Sequence, residues 1–207
     1  MRATALILCG GRATRMDGVD KPLQEFQGRP LVAQVLERIA PQTGGRVLIS
    51  ANRHLDDYRA FGHPVLEDAF PDFAGPLAGI LAGMDALAHD DAAGTDDWLL
   101  VVSGDSPWLP TDLLGRLADG LHPDLTAAMA LGREAPDAPL RSQPLASLIH
   151  AGHRAALASA LQAGERRVER WLRGLPLAEV VFDRADDERA FANINDRSEL
   201  ERLERLR

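Results

Sequence analysis

The feature that most narrows the fold is the N-terminal run at residues 3–8, almost wholly apolar and ending at Gly10-Gly11. A short segment with apolar side chains on both faces suits the interior of a parallel sheet covered by helices on each side. The glycines that follow free the backbone to bend sharply and bring its N–H groups close to a ligand. Successive N–H groups of this kind form a concavity for anions. Cations follow within the next ten residues, Arg15 and Lys21 among them. Arg15 offers a forked donor for phosphate oxygens, and Lys21 a compact charge. Strand, glycine turn and cations together predict a phosphate-binding loop. It is not the Gly-Lys-Ser/Thr loop of ordinary ATPases, and Gly10-Gly11-Arg12 does not continue into a dinucleotide fingerprint.

Further strand-like runs alternate with helical periods. Residues 46–50 and 65–66, then 98–102, the second most apolar run, read as strands. Residues 125–131 read as extended or mixed, and Val180, Val181 and Phe182 as a late strand. Between them, Pro30 opens a helix carrying Leu31, Val35, Leu36 and Ile39, and residues 54–61 form a short one. Pro76 opens another with Leu77, Ile80, Leu81, Met84 and Leu87 on one face. Residues 110–121 and 153–173 read as helical, and Asp196 with Glu199 caps a last helix. Residues 133–142, with Pro136 and Pro139, read as a polar excursion over the site. This order predicts an α/β fold with a doubly wound, mostly parallel, Rossmann-like sheet. With 207 residues, one domain spanning 1–207 is the economical expectation.

The formal net charge of −8 argues against a broad nucleic-acid or anionic-membrane surface. Cys9, the single cysteine, cannot form an internal disulfide, and it has no partners at nucleophile spacing. No signal-peptide core and no apolar run of membrane length is present, so a cytoplasmic protein is expected. The six histidines show no metal-ligand pairing.

Asp105 follows the strand at 98–102, at the carboxyl end where open α/β sheets place ligands. A carboxylate there can hold Mg²⁺, which takes few protein oxygens and completes its shell with substrate phosphates. Asp68 also follows a short strand and could accept from a base edge, since guanine presents two adjacent donors. Asn193 and Asn195 precede the last helix, where turn formation alone would also explain them.

Taken together these motifs resemble the bacterial molybdenum cofactor guanylyltransferases. That family's L-A-G-G-x-x-x-R-M-G-G-x-D-K loop is matched at Leu8, Gly10, Gly11, Arg15, Met16, Gly18, Asp20 and Lys21. Further matches are Ala51-Asn52-Arg53-His54, Glu67-Asp68, Gly75-Pro76-Leu77-Ala78-Gly79, Asp105 with Pro107, and the run from Leu161-Gln162-Ala163-Gly164 to Glu165-Arg166-Arg167-Val168. Phe191-Ala192-Asn193-Ile194-Asn195 resembles the family's ending, so the likeness spans nearly the whole chain.

The resemblance implies transfer of GMP from GTP to the molybdopterin form of the cofactor, with Mg²⁺ and release of pyrophosphate. It places Arg15, Lys21 and Asp105 in catalysis, with Asp105 on the metal. Leu8, Cys9, Gly10, Gly11, Lys21, Ser50, Asp68 and Asp105 would meet the nucleotide, and Gly79, Asn193 and Asn195 the second substrate. Cys9 replaces the usual Ala, Asp17 a Gly, and Ser50 stands where relatives can have Asn. The implied partners are the two substrates and the enzymes that make or receive the cofactor, with neither nucleic acid nor membrane. Rival readings are a related transferase using CTP or acting on a sugar phosphate, or a non-catalytic nucleotide- or cofactor-binding protein.

Overall fold

The computed structural model describes residues 1–10, 20–68, 75–89, 96–135 and 137–192. In chain order these form β1 (Arg2–Leu8), a small hairpin of β2 (Glu25–Phe26) and β3 (Arg29–Pro30), α1 (Leu31–Ile39), β4 (Val47–Ser50), α2 (Leu55–Arg59), β5 (Val65–Leu66) and α3 (Pro76–Ala88). Then come β6 (Asp97–Ser103), α4 (Leu113–Asp119), β7 (Ala127–Gly132), β8 (Arg141–His150), α5 (Arg154–Gln162), α6 (Val168–Leu172) and β9 (Leu177–Val181).

Seven strands form one sheet in the order β5-β4-β1-β6-β8-β7-β9. All run parallel except β8, which pairs antiparallel with both β6 and β7. The winding reverses around β1. The chain passes outward to β4 and β5, then crosses back to β6 on the other side of β1. Crossovers of one hand that travel in opposite directions set their helices on opposite faces of the sheet. Val32, Val35 and Ile39 of α1 accordingly pack with Ala5 and Ile7 of β1. Leu77, Ile80 and Met84 of α3 pack with Leu6 and Leu8 on the reverse face. The alternating strand period thus feeds two cores from one apolar run.

Three elements depart from the sequence expectation. β8 begins at Arg141, so the loop after β7 is shorter than residues 133–142. Pro144 hides this strand, since it cannot donate to a ladder. The β7–β8 register shifts there, from Met129↔Ser147 to Ala130↔Gln143, leaving Pro144, Leu145 and Ala146 without partners on β7. The Ser147 hydroxyl donates to the Pro144 carbonyl at 3.0 Å across this bulge. The helical stretch at 153–173 is two helices, divided at Gly164, whose φ of +90° no helix interior allows. The helix expected at 110–121 is confined to Leu113–Asp119. The last helix, with Asp196 and Glu199, lies outside the described residues.

Candidate active site

Because β4, β5 and β6 run parallel with β1 or with one another, their carboxyl ends coincide. Leu8 pairs with Ser50 on one side and Ser103 on the other, and Ser50 pairs with Leu66. The ladder continues one step past the strands. Cys9 N–H donates to the Ser50 carbonyl at 2.9 Å, Gly104 N–H to that of Leu8 at 2.9 Å, and Ala51 N–H to that of Leu66 at 3.0 Å. Cys9-Gly10, Ala51-Asn52, Glu67-Asp68 and Gly104-Asp105 therefore leave the sheet side by side.

Two glycines permit this closeness. A Cβ on Gly104 would lie 2.6 Å from the Cys9 sulfur and 3.3 Å from the Leu8 carbonyl oxygen. A Cβ on Gly79, in the first turns of α3, would lie 2.5 Å from Ser50 Oγ and 2.8 Å from Leu8 Cδ2. Gly79 is thus buried beneath the carboxyl ends of β1 and β4. The Leu8, Cys9 and Ser50 side chains are buried as well. What Leu8 and Cys9 can offer a ligand is backbone. The Cys9 thiol faces the core. Burial first, then the Asp105 and Asp20 carboxylates, push that thiol well above its ordinary range, so it is no nucleophile.

Lys21 opens a short 3₁₀ turn, Lys21–Leu23. Its ammonium lies 2.6 Å from Asp105 Oδ2, with side chains 24% and 19% exposed. The Ser103 hydroxyl donates to Asp105 Oδ1 at 2.6 Å, so both carboxylate oxygens are held. The neighbouring Asp20 is buried and pinned by Arg53, whose Nη2 lies 2.7 Å from Oδ1. The Tyr58 hydroxyl stands 3.5 Å from both Asp20 Oδ2 and the Cys9 carbonyl oxygen. Tyr58 is fully buried, and that burial, chiefly, raises its phenol far above the ordinary range, so it stays protonated as a donor. Cys9 and Asp20 flank residues 10–19 in the chain. Tyr58 and Arg53 therefore fasten the backbone on either side of the glycine loop and deliver Lys21 to Asp105.

Among the described residues no group of three or more His, Cys, Asp or Glu could cage a metal. One carboxylate at the mouth of the sheet instead fits a hard divalent cation that shares its shell with substrate phosphates. It does not fit a soft metal or a closed structural site.

Asp68 sits across the mouth from this pair. Asn52 Nδ2 donates to Asp68 Oδ2 at 2.7 Å, and Asp68 N–H donates to Asn52 Oδ1 at 2.8 Å. Asp68 Oδ1 is buried and, among the described residues, has no hydrogen-bond partner. Burial raises the Asp68 carboxyl above its ordinary value, and the Asn52 bond opposes that rise.

Of the residues expected from sequence, Leu8, Cys9, Gly10, Lys21, Ser50, Asp68 and Asp105 gather at this one edge, with Gly79 directly beneath. Gly11, Arg15, Asn193 and Asn195 lie outside the described residues. Arg53, Tyr58 and Ser103 were not legible as site residues. Arg53 was visible only as part of a motif, and nothing in local spacing ties Tyr58 to Asp20. A groove of about 610 Å³ lies on the α3 face between Pro76, Pro144, Leu145 and the arginines Arg166, Arg167, Arg170 and Arg173. It opens near the same edge, since α3 starts there and antiparallel β8 enters there. His153 instead bonds Thr126 at 2.7 Å, before β7 and at the opposite edge of the sheet.

The profile of the MobA-like NTP transferase domain matches residues 5–181. The chain is similar to the molybdenum cofactor guanylyltransferase of Ralstonia nicotianae, at 47% identity over 97% of this chain and 95% of that protein. It is similar to the protein of the same name from Cupriavidus taiwanensis, at 42% identity over 95% of this chain and 94% of that protein. Among solved structures, it resembles molybdopterin-guanine dinucleotide biosynthesis protein A from Archaeoglobus fulgidus. The TM-score is 0.72 at 21% identity, covering 98% of this chain and 97% of that one. No helix among the described residues is long and apolar enough to cross a membrane.

Proposed function

This chain belongs to the MobA-like NTP transferase family, and from that membership we propose that it transfers GMP from GTP to the molybdopterin form of the molybdenum cofactor. The products are the guanine dinucleotide cofactor and pyrophosphate. A terminal phosphate oxygen of the molybdopterin forms a bond to the α-phosphorus of GTP. The bond from that phosphorus to the β-phosphate bridging oxygen breaks, and pyrophosphate carries the electron pair away. The observation that carries this reading is the Lys21–Asp105 pair, 2.6 Å apart where β1 and β6 end side by side. Such transfers require positioning and charge neutralisation rather than a covalent protein nucleophile.

Each residue then has a task. Leu8, Cys9, Gly10 and Gly11 present backbone to the nucleotide, with Ser50 beside them, and Arg15 and Lys21 balance charge on the triphosphate and on the leaving pyrophosphate. Asp105 would hold Mg²⁺, which would supply positive charge to offset that of the phosphates. Ser103 and Lys21 hold Asp105 in place for that role. Asp68 accepts from the guanine edge. The resemblance assigns Asn193 and Asn195 to the second substrate, and Gly79 keeps α3 close beneath. The arginine-lined groove on the α3 face gives an anionic second substrate room beside the nucleotide.

Pyrophosphate release measured with GTP, CTP, ATP and UTP, with and without molybdopterin, tests the reading. GTP-dependent release that requires molybdopterin is expected. A clear CTP preference, or GTP binding without release, would overturn it.

A further inference from the structure

We propose that Asn52 is a positioning residue that aims Asp68 at the nucleotide base and so sets the preference for guanine; this rests on the reading of Asp68 as the base-contacting acid. The Asn52 amide has only one satisfactory orientation. The Asp68 backbone N–H can only donate, so the amide oxygen must face it, which turns Nδ2 toward Asp68 Oδ2. These two bonds close a ring on one residue's backbone and side chain, fixing the carboxylate's rotation as well as its place.

That rotation leaves Oδ1 buried and, among the described residues, without a hydrogen-bond partner. A buried carboxylate oxygen with no donor is costly unless a ligand supplies one. Guanine brings N1–H and an exocyclic amino group side by side. The carboxylate that Asn52 orients is the acceptor for this pair of donors.

The surroundings agree with this role. Asn52 lies beside the start of the glycine loop, since a Cβ on Gly10 would stand 3.9 Å from Asn52 Nδ2. The turn that carries Asn52 is itself fixed by the Ala51–Leu66 backbone bond at 3.0 Å and by the Arg53–Asp20 pair at 2.7 Å. Asn52 need not touch the base. Without it, the carboxylate is free to turn away and present one oxygen or none.

Equilibrium dissociation constants for GTP and inosine triphosphate, with Mg²⁺ present, test this. Inosine triphosphate lacks the exocyclic amino group, so the ratio of the two constants reads the base contact alone. The wild-type protein is expected to favour GTP. Asn52→Ala is expected to weaken GTP binding by about tenfold, the scale of a charged hydrogen bond, while inosine triphosphate weakens less and the ratio collapses. A merely structural role weakens both nucleotides equally and leaves the ratio intact, which overturns the inference. Asp68→Asn separates the two readings. If Asp68→Asn loses the preference and Asn52→Ala keeps it, Asn52 does not aim the acid, while Asp68 still reads the base. If both variants keep it, Asp68 does not read the base and the role of Asn52 falls with it.

Discussion

At the scale of single residues, the site is a set of side chains whose charges are already answered within the protein. Lys21 and Asp105 neutralise each other at 2.6 Å, so the proposed ligand, with phosphates and a divalent cation, would exchange partners instead of meeting bare charges. Asp105→Ala is expected to lower turnover about tenfold or more, by analogy with the loss of one preorganised electrostatic contact. Wild-type turnover for that variant at saturating GTP and Mg²⁺ would refute the assignment. Asp68 differs, because its carboxyl is raised by burial against the opposing Asn52 bond. A carboxyl raised in the folded state costs stability where it is ionised, and the cost is relieved as pH falls through the raised value. In the proposed role, ionisation is nevertheless what would let it accept two donors from guanine. Selectivity for GTP over inosine triphosphate should therefore hold at neutral pH and fall on acidification, beginning above the usual carboxylate range. A ratio that stays flat until an ordinary aspartate would titrate refutes this.

At the scale of elements, the contact of α3 with β1 and β4 governs the site from below. Gly79 leaves no room for a side chain, with Ser50 Oγ 2.5 Å and Leu8 Cδ2 2.8 Å from a notional Cβ. Gly79→Val should cost about 1–3 kcal/mol by overpacking and should weaken GTP binding, since Leu8 and Ser50 must shift. Gly115 in α4 is the natural contrast, because a Cβ there meets nothing within 4 Å. Gly115→Ala should add about 0.5–1 kcal/mol by removing a flexible residue from a helix interior. Thermal midpoints measured beside GTP affinity check both, and a Gly79→Val protein as stable as wild type refutes the packing account.

At the scale of the whole molecule, one seven-stranded sheet carries two apolar layers. We propose that the chain folds as one domain over residues 1–207, as its length suggested. Leu148 lies in β8, fully buried between β6 and β7 and on the far side of β6 from the strands that hold Asn52 and Asp68. Leu148→Ala should cost about 2–5 kcal/mol through lost burial and the cavity left behind. It should lower the midpoint of a single cooperative transition and leave GTP affinity unchanged below that midpoint. Two separated transitions would show that the halves unfold independently.

Local order determined much of this protein. Apolar runs at residues 3–8 and 98–102, the helices begun by Pro30 and Pro76, and the glycine-cation loop were readable because each rests on periodicity or backbone chemistry within a few residues. Lys21, Asp68 and Asp105 could be singled out for the same reason, as each follows a strand or a glycine turn. Tertiary structure decided the rest. β8 was obscured because Pro144 is compatible with a strand only where a bulge removes its partner on β7. Gly79 and Gly104 acquired their importance from side chains far along the chain that approach within 3 Å of where a Cβ would stand. Arg53 and Tyr58 hold Asp20 from 33 and 38 residues away, and the Asn52–Asp68 ring spans 16. Such contacts depend on which strand ends the sheet order places side by side, and no local pattern in the chain encodes that order.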